Sequence, residues 1–470
     1  MSGEALVLYD TRTRSKRVFA PLEPGRARIY SCGPTVYAPQ HLGNMRSQLL
    51  ADLLKRALLF EGYAVQHVIN ITDVGHLTGD SDAGEDKLER AALLSGRRAE
   101  EIAAQYTAQW LRDRERLGCL PPEVLCKATD HIPEQIELVR VLEAKGYTYR
   151  IADGLYFDTA KFPRYGEFAH LDLAGQAAGA RIGDVPGKRQ PADFALWKFA
   201  APGVQRQQEW ESPWGRGFPG WHVECSAMAD RYLGHRFDIH TGGVDHVAVH
   251  HTNEVAQSEC AWDVHPWVGF WLHNEFLDLR GEKMAKSTGN VAVLDDLVER
   301  GVPPLAFRYL FLQAHYRQQQ TYTDEAMDAA ATGYERLLSA CAELRETAEG
   351  TSEARSEPLR QRFRAAIRDD LNAPRALAVA WEATRAPGLD AGERWAVLRE
   401  ADRVLGLGLA HGVPRAARSQ SDPRIDARVA ERDAARERRD FATADRIRRE
   451  LSAEGIAIED TPDGTRWRRA

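Results

Sequence analysis

The chain has 470 residues, and its 62 Lys+Arg against 69 Asp+Glu leave a net charge of −7. Hydrophobic residues make up 43% and charged residues 28%, the balance of an ordinary globular protein, which excludes long-range disorder and fibrous classes. At ~150 residues per domain the length suggests about three domains, and a mildly acidic chain is no nucleic-acid coat, so RNA contact would need local basic patches. Six cysteines are too few for a disulfide scaffold and suit a reducing compartment. The opening MSGEALVLYDTRTRSKR has no apolar signal core. The greasiest early stretch, LLADLLKRALLF, is broken by Asp52, Lys55 and Arg56, well short of the ~18 apolar residues of a membrane span. A soluble, cytoplasmic protein is expected.

The N-terminal third alternates strand and helix signals. Residues 27–33 (ARIYSCG) predict a short strand ending in glycine, and 63–71 a β-branched-rich strand. Between them, residues 43–61 predict an amphipathic helix, with Leu49, Leu50, Leu53, Leu54, Ala57 and Leu58 at helical spacing. Strand, helix, strand within ~45 residues is the βαβ unit of a parallel sheet. Ligands of such sheets sit at the carboxyl ends of the strands, which puts Cys32–Gly33 and Ile71–Asp73 on one rim. Helices are predicted over 86–118 and 132–146. The Gly/Pro/Asp-rich region 146–213 predicts an insertion with short strands. A second α/β portion follows: a strand at 237–241, a loop and helix over 244–261, and a strand-like run at 267–279. The glycine-bounded loop GEKMAKSTGN comes next. From residue 303 the chain is mostly helical and Arg/Glu-rich, with candidate linkers at 347–357 and 411–423. Residues 424–470 predict a charged helix pair with a hairpin-like end. Residues 413–470 hold 14 Arg against 12 Asp+Glu, locally basic in an acidic chain.

Four constellations carry chemistry. His41-Leu42-Gly43-Asn44 lies at a strand–helix junction, where free backbone N–H groups and the helix dipole attract anions and His41 adds a side-chain donor. An ordinary turn with a surface histidine would look the same. Lys283 and Lys286 sit three apart in one loop, in a chain with no lysine after Lys286. Two ammonium groups there can offset charge on a departing polyphosphate, where arginine would not be equivalent; a solvated loop is the plain alternative. His250 and Glu254, four apart, share a helix face, and with Cys32 and Cys225 they make a donor set suited to Zn²⁺. Spacing does not require that set: each cysteine alone reads as a small buried apolar residue, and His246 and His251 compete with His250. Cys119 and Cys126 have no partner motif and read as structural. Finally, His240-Thr241-Gly242-Gly243-Val244-Asp245 places glycines at a strand end, with Asp245 able to accept from ribose hydroxyls. Glycines that only make a turn are the alternative.

Taken in order, these residues resemble the class I cysteinyl-tRNA synthetase family. The match runs through YSCGPTVY (30–37), HLGN (41–44), NITD (70–73), DFALWK (193–198) and SPWGRGFPGWHVECSAM (212–228). It continues through FDIHTGGVDH (237–246), HHTNEVAQS (250–258), GEKMAKSTGN (281–290) and the C-terminal RRDFATADRIRREL. The resemblance implies an α/β Rossmann-type catalytic domain with an inserted connective peptide, then an α-helical anticodon-binding bundle and a small C-terminal α+β domain. The boundaries it suggests are 1–120 and 211–300 for the catalytic halves and 121–210 for the insertion. A stem-contact region would span 301–345, the bundle 346–410, a linker 411–423 and the tRNA-binding end 424–470. It implies one Zn²⁺ per chain on Cys32, Cys225, His250 and Glu254, completed by the substrate thiolate. Thr72 and Trp221 would line the amino-acid pocket. His41, Gly43 and Asn44 would meet the ATP phosphates, Gly243 and Asp245 the nucleoside, and Lys283 and Lys286 the charge of the reaction, with Mg²⁺ accompanying ATP. Substrates would be L-cysteine, ATP and tRNA(Cys), handled by a monomer. Two positions depart from the family pattern: Asn44 stands where histidine is usual, and Ala285 where serine is usual.

The chemistry agrees with this resemblance. Cysteine carboxylate attacks the α-phosphate in line and pyrophosphate leaves, so positioning and charge stabilisation dominate. Two other readings compete. A ligase joining cysteine to a sugar amine on the same scaffold would lack the 424–470 segment, and a non-enzymatic RNA-binding protein would not need Lys286 or an open metal shell.

Overall fold

The computed structural model describes residues 5–75, 77, 84–171, 185–200, 203, 206–279, 282–283, 291–348, 354–412, 423–438, 440–461 and 464–469. The chain opens with a hairpin, β1 (Val7–Asp10) and β2 (Ser15–Val18), followed by β3 (Arg26–Ser31), α1 (Leu42–Phe60) and β4 (Ala64–Ile71). Helices α2 (Lys87–Ser95) and α3 (Ala99–Arg116) lead to β5 (Val124–Lys127). Next come α4 (Ile132–Ala144) and strands β6 (Thr148–Ile151), β7 (Gly154–Phe157), β8 (Phe194–Phe199) and β9 (Gly217–Pro219). Then follow α5 (Trp221–Leu233), β10 (Phe237–Gly243), a π-helical turn at Val247–His251, α6 (Thr252–Trp262) and β11 (Val268–Asn274). Strands β12 (Leu277–Leu279) and β13 (Glu282–Lys283), helices α7 (Leu294–Glu299) and α8 (Pro304–Leu312), and β14 (Gln320–Tyr322) join this body to a bundle. The bundle comprises α9 (Asp324–Thr347), α10 (Glu357–Arg368), α11 (Ala373–Ala383) and α12 (Ala391–Leu405). The C-terminal unit has α13 (Pro423–Glu437), α14 (Phe441–Ala453), β15 (Ile456–Thr461) and β16 (Gly464–Arg469).

The central sheet has five parallel strands in the order β11-β10-β3-β4-β5. From the middle strand β3 the chain winds one way through β4 and β5, then returns to lay β10 and β11 on the other side. The winding reverses between β3 and β10. In open α/β sheets that switch point, outside the carboxyl ends, is where ligands sit. Cys32 follows β3 directly and Gly243 ends β10, so both flank it. Between β5 and β10 a separate antiparallel sheet, β6-β7-β8-β9, forms the insertion, packing on α4 and α5 through Leu138, Leu155, Trp197 and Val223. Among the described residues no helix is long and apolar enough to cross a membrane.

Helix α1 departs from the amphipathic expectation. Leu42, Met45, Leu49, Leu50, Leu53 and Leu54 are buried, but so are Arg46, Gln48, Asp52 and Lys55. The sheet covers one face, and α8 and α12 cover the other: Arg308 of α8 reaches Asp52, and Arg56 donates to the carbonyl of Arg403 in α12. A helix that sequence spacing makes half-solvated is thus the axle between the catalytic body and the bundle. The C-terminal unit has its own small core of Ile425, Val429, Ile447, Leu451 and Ile456.

Candidate active site and metal centre

The rim at the switch point is built by close backbone approach. Past β3, Gly33 N–H donates to Asn70 Oδ1 at 2.9 Å, and a Cβ at residue 33 would fall 1.5 Å from the Asn70 carbonyl oxygen. Only glycine fits there. The strand pairing then continues beyond the sheet proper. Thr35 bridges Thr72, and Thr72 N–H donates to the Pro34 carbonyl at 3.0 Å. Asn70 Nδ2 fixes the Thr72 hydroxyl at 3.1 Å. Trp221 opens α5, with its ring centroid 4.2 Å from that of His250, and Cys225 lies one turn further along.

Cys32, Cys225, His250 and Glu254 are all buried, and their sulfur, nitrogen and oxygen atoms lie within 4.8 Å of one another. His250 comes from the π-helical turn and Glu254 from the first turn of α6. His250 Nε2 lies 2.8 Å from Glu254 Oε1 and 3.6 Å from Cys225 Sγ. A second group, Cys32, His240, His251 and Glu254, meets the same criterion and shares two members with the first. Both are arrangements that can hold a metal ion. The groups carry further imidazoles around them. His240 Nε2 contacts Glu254 Oε2 at 2.9 Å, and His222 Nδ1 contacts His250 Nδ1 at 2.9 Å. Thr11, His273 and His251 form a relay of 2.7 Å contacts that ends 3.3 Å from Cys32 Sγ.

The electrostatics are those of titratable groups buried against one another. The Cys225 S–H hydrogen bond holds the Cys32 thiol well below its ordinary value, and that same bond, with burial, pushes Cys225 well above. Burial opposes charge on His250, but Glu254 and Cys32 raise it to about 10. Burial likewise opposes charge on Glu254, but His240 and His250 lower it to about 2. Burial, with His240 and His246, drives His273 down to about 3.

The start of α1 forms the neighbouring part of the rim. His41 is its N-cap, and its Nδ1 accepts from Asn44 N–H at 3.1 Å, which puts the proton of the neutral ring on Nε2. Gly43 lies against that ring: a Cβ there would be 3.0 Å from His41 Nδ1. Asn44 is exposed. A Cβ on Gly243 would be 2.4 Å from Asp245 Oδ1 and 3.7 Å from Ser47 Oγ, so the end of β10 and the first turns of α1 are neighbours. Asp245 lies in a short 3₁₀ turn and is exposed. Lys283 ends β13, opposite Asp278 of β12. Lys286 lies outside the described residues. Cys119 and Cys126 fall in neither metal-capable group, and burial pushes their thiols up to about 11 and about 12.

Sequence reasoning passed over His222 and His273, and read His240 only as the start of the glycine turn. A signal existed: eight of the fifteen histidines fall between residues 222 and 273. It also passed over Glu224, which is wholly buried and whose carboxyl is raised well above its ordinary value by burial and by Asp73.

Residues 18–332 match the family model for the tRNA synthetases class I (C) catalytic domain, and residues 419–468 match that of the cysteinyl-tRNA ligase anticodon binding domain. The fold resembles Mycobacterium tuberculosis methionyl-tRNA synthetase bound by methionyl-adenylate, with a TM-score of 0.55 at 17% identity over 82% of this chain and 93% of that one. It also resembles LeuRS of Agrobacterium radiobacter in its ternary complex with tRNA and LeuAMS, with a TM-score of 0.59 at 12% identity over 85% and 87%. A parallel sheet that reverses between Cys32 and Gly243, within a matching catalytic domain, defines a class I aminoacyl-tRNA synthetase. The chain is 49% identical over 462 residues to cysteine–tRNA ligase 1 of Burkholderia lata, covering 98% of this chain and 96% of that one. It is 42% identical over 480 residues to the cysteine–tRNA ligase of Thermus thermophilus, covering 98% and 99%. The chain belongs to the cysteine–tRNA ligase family.

Proposed function

We propose that the chain activates L-cysteine with ATP and transfers it to the 3′ end of tRNA(Cys) in the cytoplasm, with Zn²⁺ held by Cys32, Cys225, His250 and Glu254 and Mg²⁺ accompanying ATP. The observation that carries this reading is the buried donor cluster at the switch point, beside Trp221 and Thr72. Two thiols, an imidazole and a carboxylate match zinc in softness and number. Ordinary bond lengths place donors around a tetrahedral zinc ~3.3–3.8 Å apart; Cys225 Sγ and His250 Nε2 are separated by 3.6 Å, and the 2.8 Å His250–Glu254 pair would part to admit the ion. The His240 contact to the other Glu254 oxygen is the outer hydrogen bond that orients a ligating carboxylate. When bound, the zinc supplies a soft position that takes a thiolate and rejects a hydroxyl, a distinction apolar pockets make only ~10²-fold.

The chain's own groups do the rest. Trp221 and Thr72 enclose the amino acid. His41 donates from Nε2, and the Gly43 N–H at the helix start and the Asn44 side-chain amide face the triphosphate. Gly243 and Asp245 hold the nucleoside. The cysteine carboxylate attacks the α-phosphorus and the bond to pyrophosphate breaks, with Lys283 and Lys286 offsetting the charge that leaves. The terminal ribose hydroxyl of the tRNA then attacks the adenylate carbonyl and AMP departs.

ATP–pyrophosphate exchange with cysteine and with serine, followed by charging of a tRNA(Cys) transcript, tests the reaction. Exchange should require cysteine, and the purified protein should carry a single zinc per chain. Cys225→Ser should lower zinc content and damage cysteine activation more than ATP binding. Unchanged zinc content in both Cys32→Ser and Cys225→Ser would overturn the ligand set. Lys286→Ala should slow adenylation by ~10²-fold, the scale of one lost transition-state donor.

A further inference from the structure

Arg46 sits one turn into α1, immediately behind His41, Gly43 and Asn44. It is 1% exposed. Its Nη1 donates to the Phe276 carbonyl at 2.5 Å, and its Nη2 donates to the Gln318 carbonyl at 2.6 Å. Phe276 enters β12, the strand that pairs with β13 and so with Lys283. Gln318 leads to β14, which lies parallel to β12 on its other side. One guanidinium therefore grips the roots of two strands in that small sheet. The chain that follows the lysine segment is tied to the same turn of α1: Leu42 N–H donates to the Ala292 carbonyl at 2.8 Å, and His41 bridges Val293.

The residue type is informative. Burial lowers the Arg46 pKa to about 10, and Glu275 and Asp278 help keep it charged. Among the described residues its Nε has no hydrogen-bond partner. A buried charge with an unsatisfied donor is a poor way to fill space, and an apolar chain of similar volume is often neutral or stabilising at such positions. What an apolar chain cannot do is fix two carbonyls at a set distance from one helix turn. A rigid fork does that, and a lysine reproduces it only in part.

We infer that Arg46 is a positioning residue for adenylate formation: it sets the HLGN turn of α1 at a fixed distance from the β12–β13 strands that carry Lys283. This rests on the reading that those two elements hold ATP. Misplacement of reacting groups by ~1 Å can cost ~10²-fold in rate. The test uses the full chain with Arg46→Lys and Arg46→Met, and reads cysteine-dependent ATP–pyrophosphate exchange per active site, titrated by the adenylate burst. Arg46→Lys should lower kcat by ~10-fold and Arg46→Met by ~10²-fold, with the KM values for ATP and cysteine within about threefold of the parent and zinc content unchanged. A purely structural role would lower the fraction of active sites but leave kcat per site alone. Arg46→Lys within about threefold of the parent kcat per site would overturn the inference, as would a loss confined to KM. Lys286→Ala, run alongside, separates the two claims. If it slows exchange while Arg46→Lys does not, only the Arg46 inference fails; if neither slows exchange, the ATP assignment itself fails.

Discussion

Two of the buried clusters of charged side chains among the described residues are opposites. Asp52, Arg56 and Arg308 form one, where α1 meets α8 and α12. Asp52 Oδ1 accepts from Leu120 N–H at 2.6 Å, and Oδ2 accepts from Arg56 Nε at 2.7 Å and Arg308 Nη2 at 2.5 Å. Arg308 Nε and Nη1 donate to the carbonyls of Leu405 and Leu117, at 2.6 and 3.1 Å, so each of its nitrogens has an acceptor. Donors and acceptors match. In the Cys32–Glu254 cluster the match is incomplete: among the described residues His240 Nδ1, His246 Nδ1 and both oxygens of nearby Glu224 have no hydrogen-bond partner. Buried polar groups are normally satisfied, so one left wanting calls for a cause. The satisfied cluster holds elements together, and the other is an arrangement that can hold a metal ion.

The largest effect should come from breaking the satisfied cluster. Asp52→Ala leaves two buried guanidinium groups without their counter-charge, and ~3–5 kcal/mol of unfolding free energy should be lost. The pH dependence follows from its sign. Burial opposes ionisation of Asp52, but Arg308 and Arg56 hold its carboxyl below the ordinary 3.8. Its contribution is therefore complete above that value and is lost as pH falls through the lower, folded-state value. Urea titrations should show the gap between Asp52→Asn and the parent constant near neutrality and closing only at more acid pH. The counterpart is Cys225→Ser in metal-free protein, which should cost under ~1 kcal/mol because a hydroxyl can keep the hydrogen bonds the thiol makes to Cys32 and His250. A cost for Cys225→Ser equal to that of Asp52→Ala would erase the contrast.

An intermediate case sharpens the comparison. Asp113 in α3 is 1% exposed, and among the described residues its Oδ1 has no hydrogen-bond partner, with Arg116 at 3.5 Å. Burial and the Asp295 charge raise its carboxyl to about 6. The folded state thus holds this proton more tightly than the unfolded chain, and stability drains away as pH rises from ~4 to ~6. Asp113→Asn removes that loss. It should raise stability by ~1 kcal/mol at neutral pH and by nothing at pH ~4, once the lost Arg116 contact is discounted. An equal shift of the urea midpoint at both pH values would mean that the gain comes from packing rather than charge.

The sequence makes some of this legible and hides the rest for physical reasons. Hydrophobic spacing marks α1, and the βαβ pattern puts Cys32 and Thr72 on one rim, because both follow from local periodicity and chain direction. The burial of Asp52 is hidden: it sits where the helical pattern puts the solvated face, and Arg308, which covers it, is 256 positions away; Arg46 falls on the apolar stripe, but nothing local announces its two carbonyl partners. The choice among His246, His250 and His251 depends on a π-helical turn that no propensity announces. Cys32 meets Cys225 only through tertiary packing, so motif resemblance, not spacing, selects the ligand set. Four-residue β5, with only Cys126 of its side chains buried, carries too little apolar pattern to declare itself a sheet strand.

The smallest effect on the catalytic body should come from removing the whole C-terminal unit. The bundle holds the chain firmly up to Gly412: Arg345 donates to the carbonyls of Ala410 and Gly412 at 2.5 and 3.2 Å, and Leu407 and Leu409 are fully buried. Beyond residue 422 the contacts turn inward. Arg424 pairs with Glu454 at 2.5 Å, Arg428 pairs with Glu450, and the Trp467 indole donates to Asp426 at 2.7 Å while packing on the unit's own core. Trp467 therefore helps hold the hairpin to α13, and RNA contact falls to the unit's basic charge. Phosphate contacts of that kind weaken as salt rises, because each one releases condensed counterions. Truncation after Gly412 should leave the urea midpoint of the catalytic body and cysteine-dependent ATP–pyrophosphate exchange unchanged. It should lower kcat/KM for tRNA cysteinylation at low salt, and the deficit relative to the full chain should shrink as salt is raised. A truncated enzyme that charges tRNA as well as the full chain at low salt would show that the C-terminal unit, for all its arginines, does not hold the tRNA.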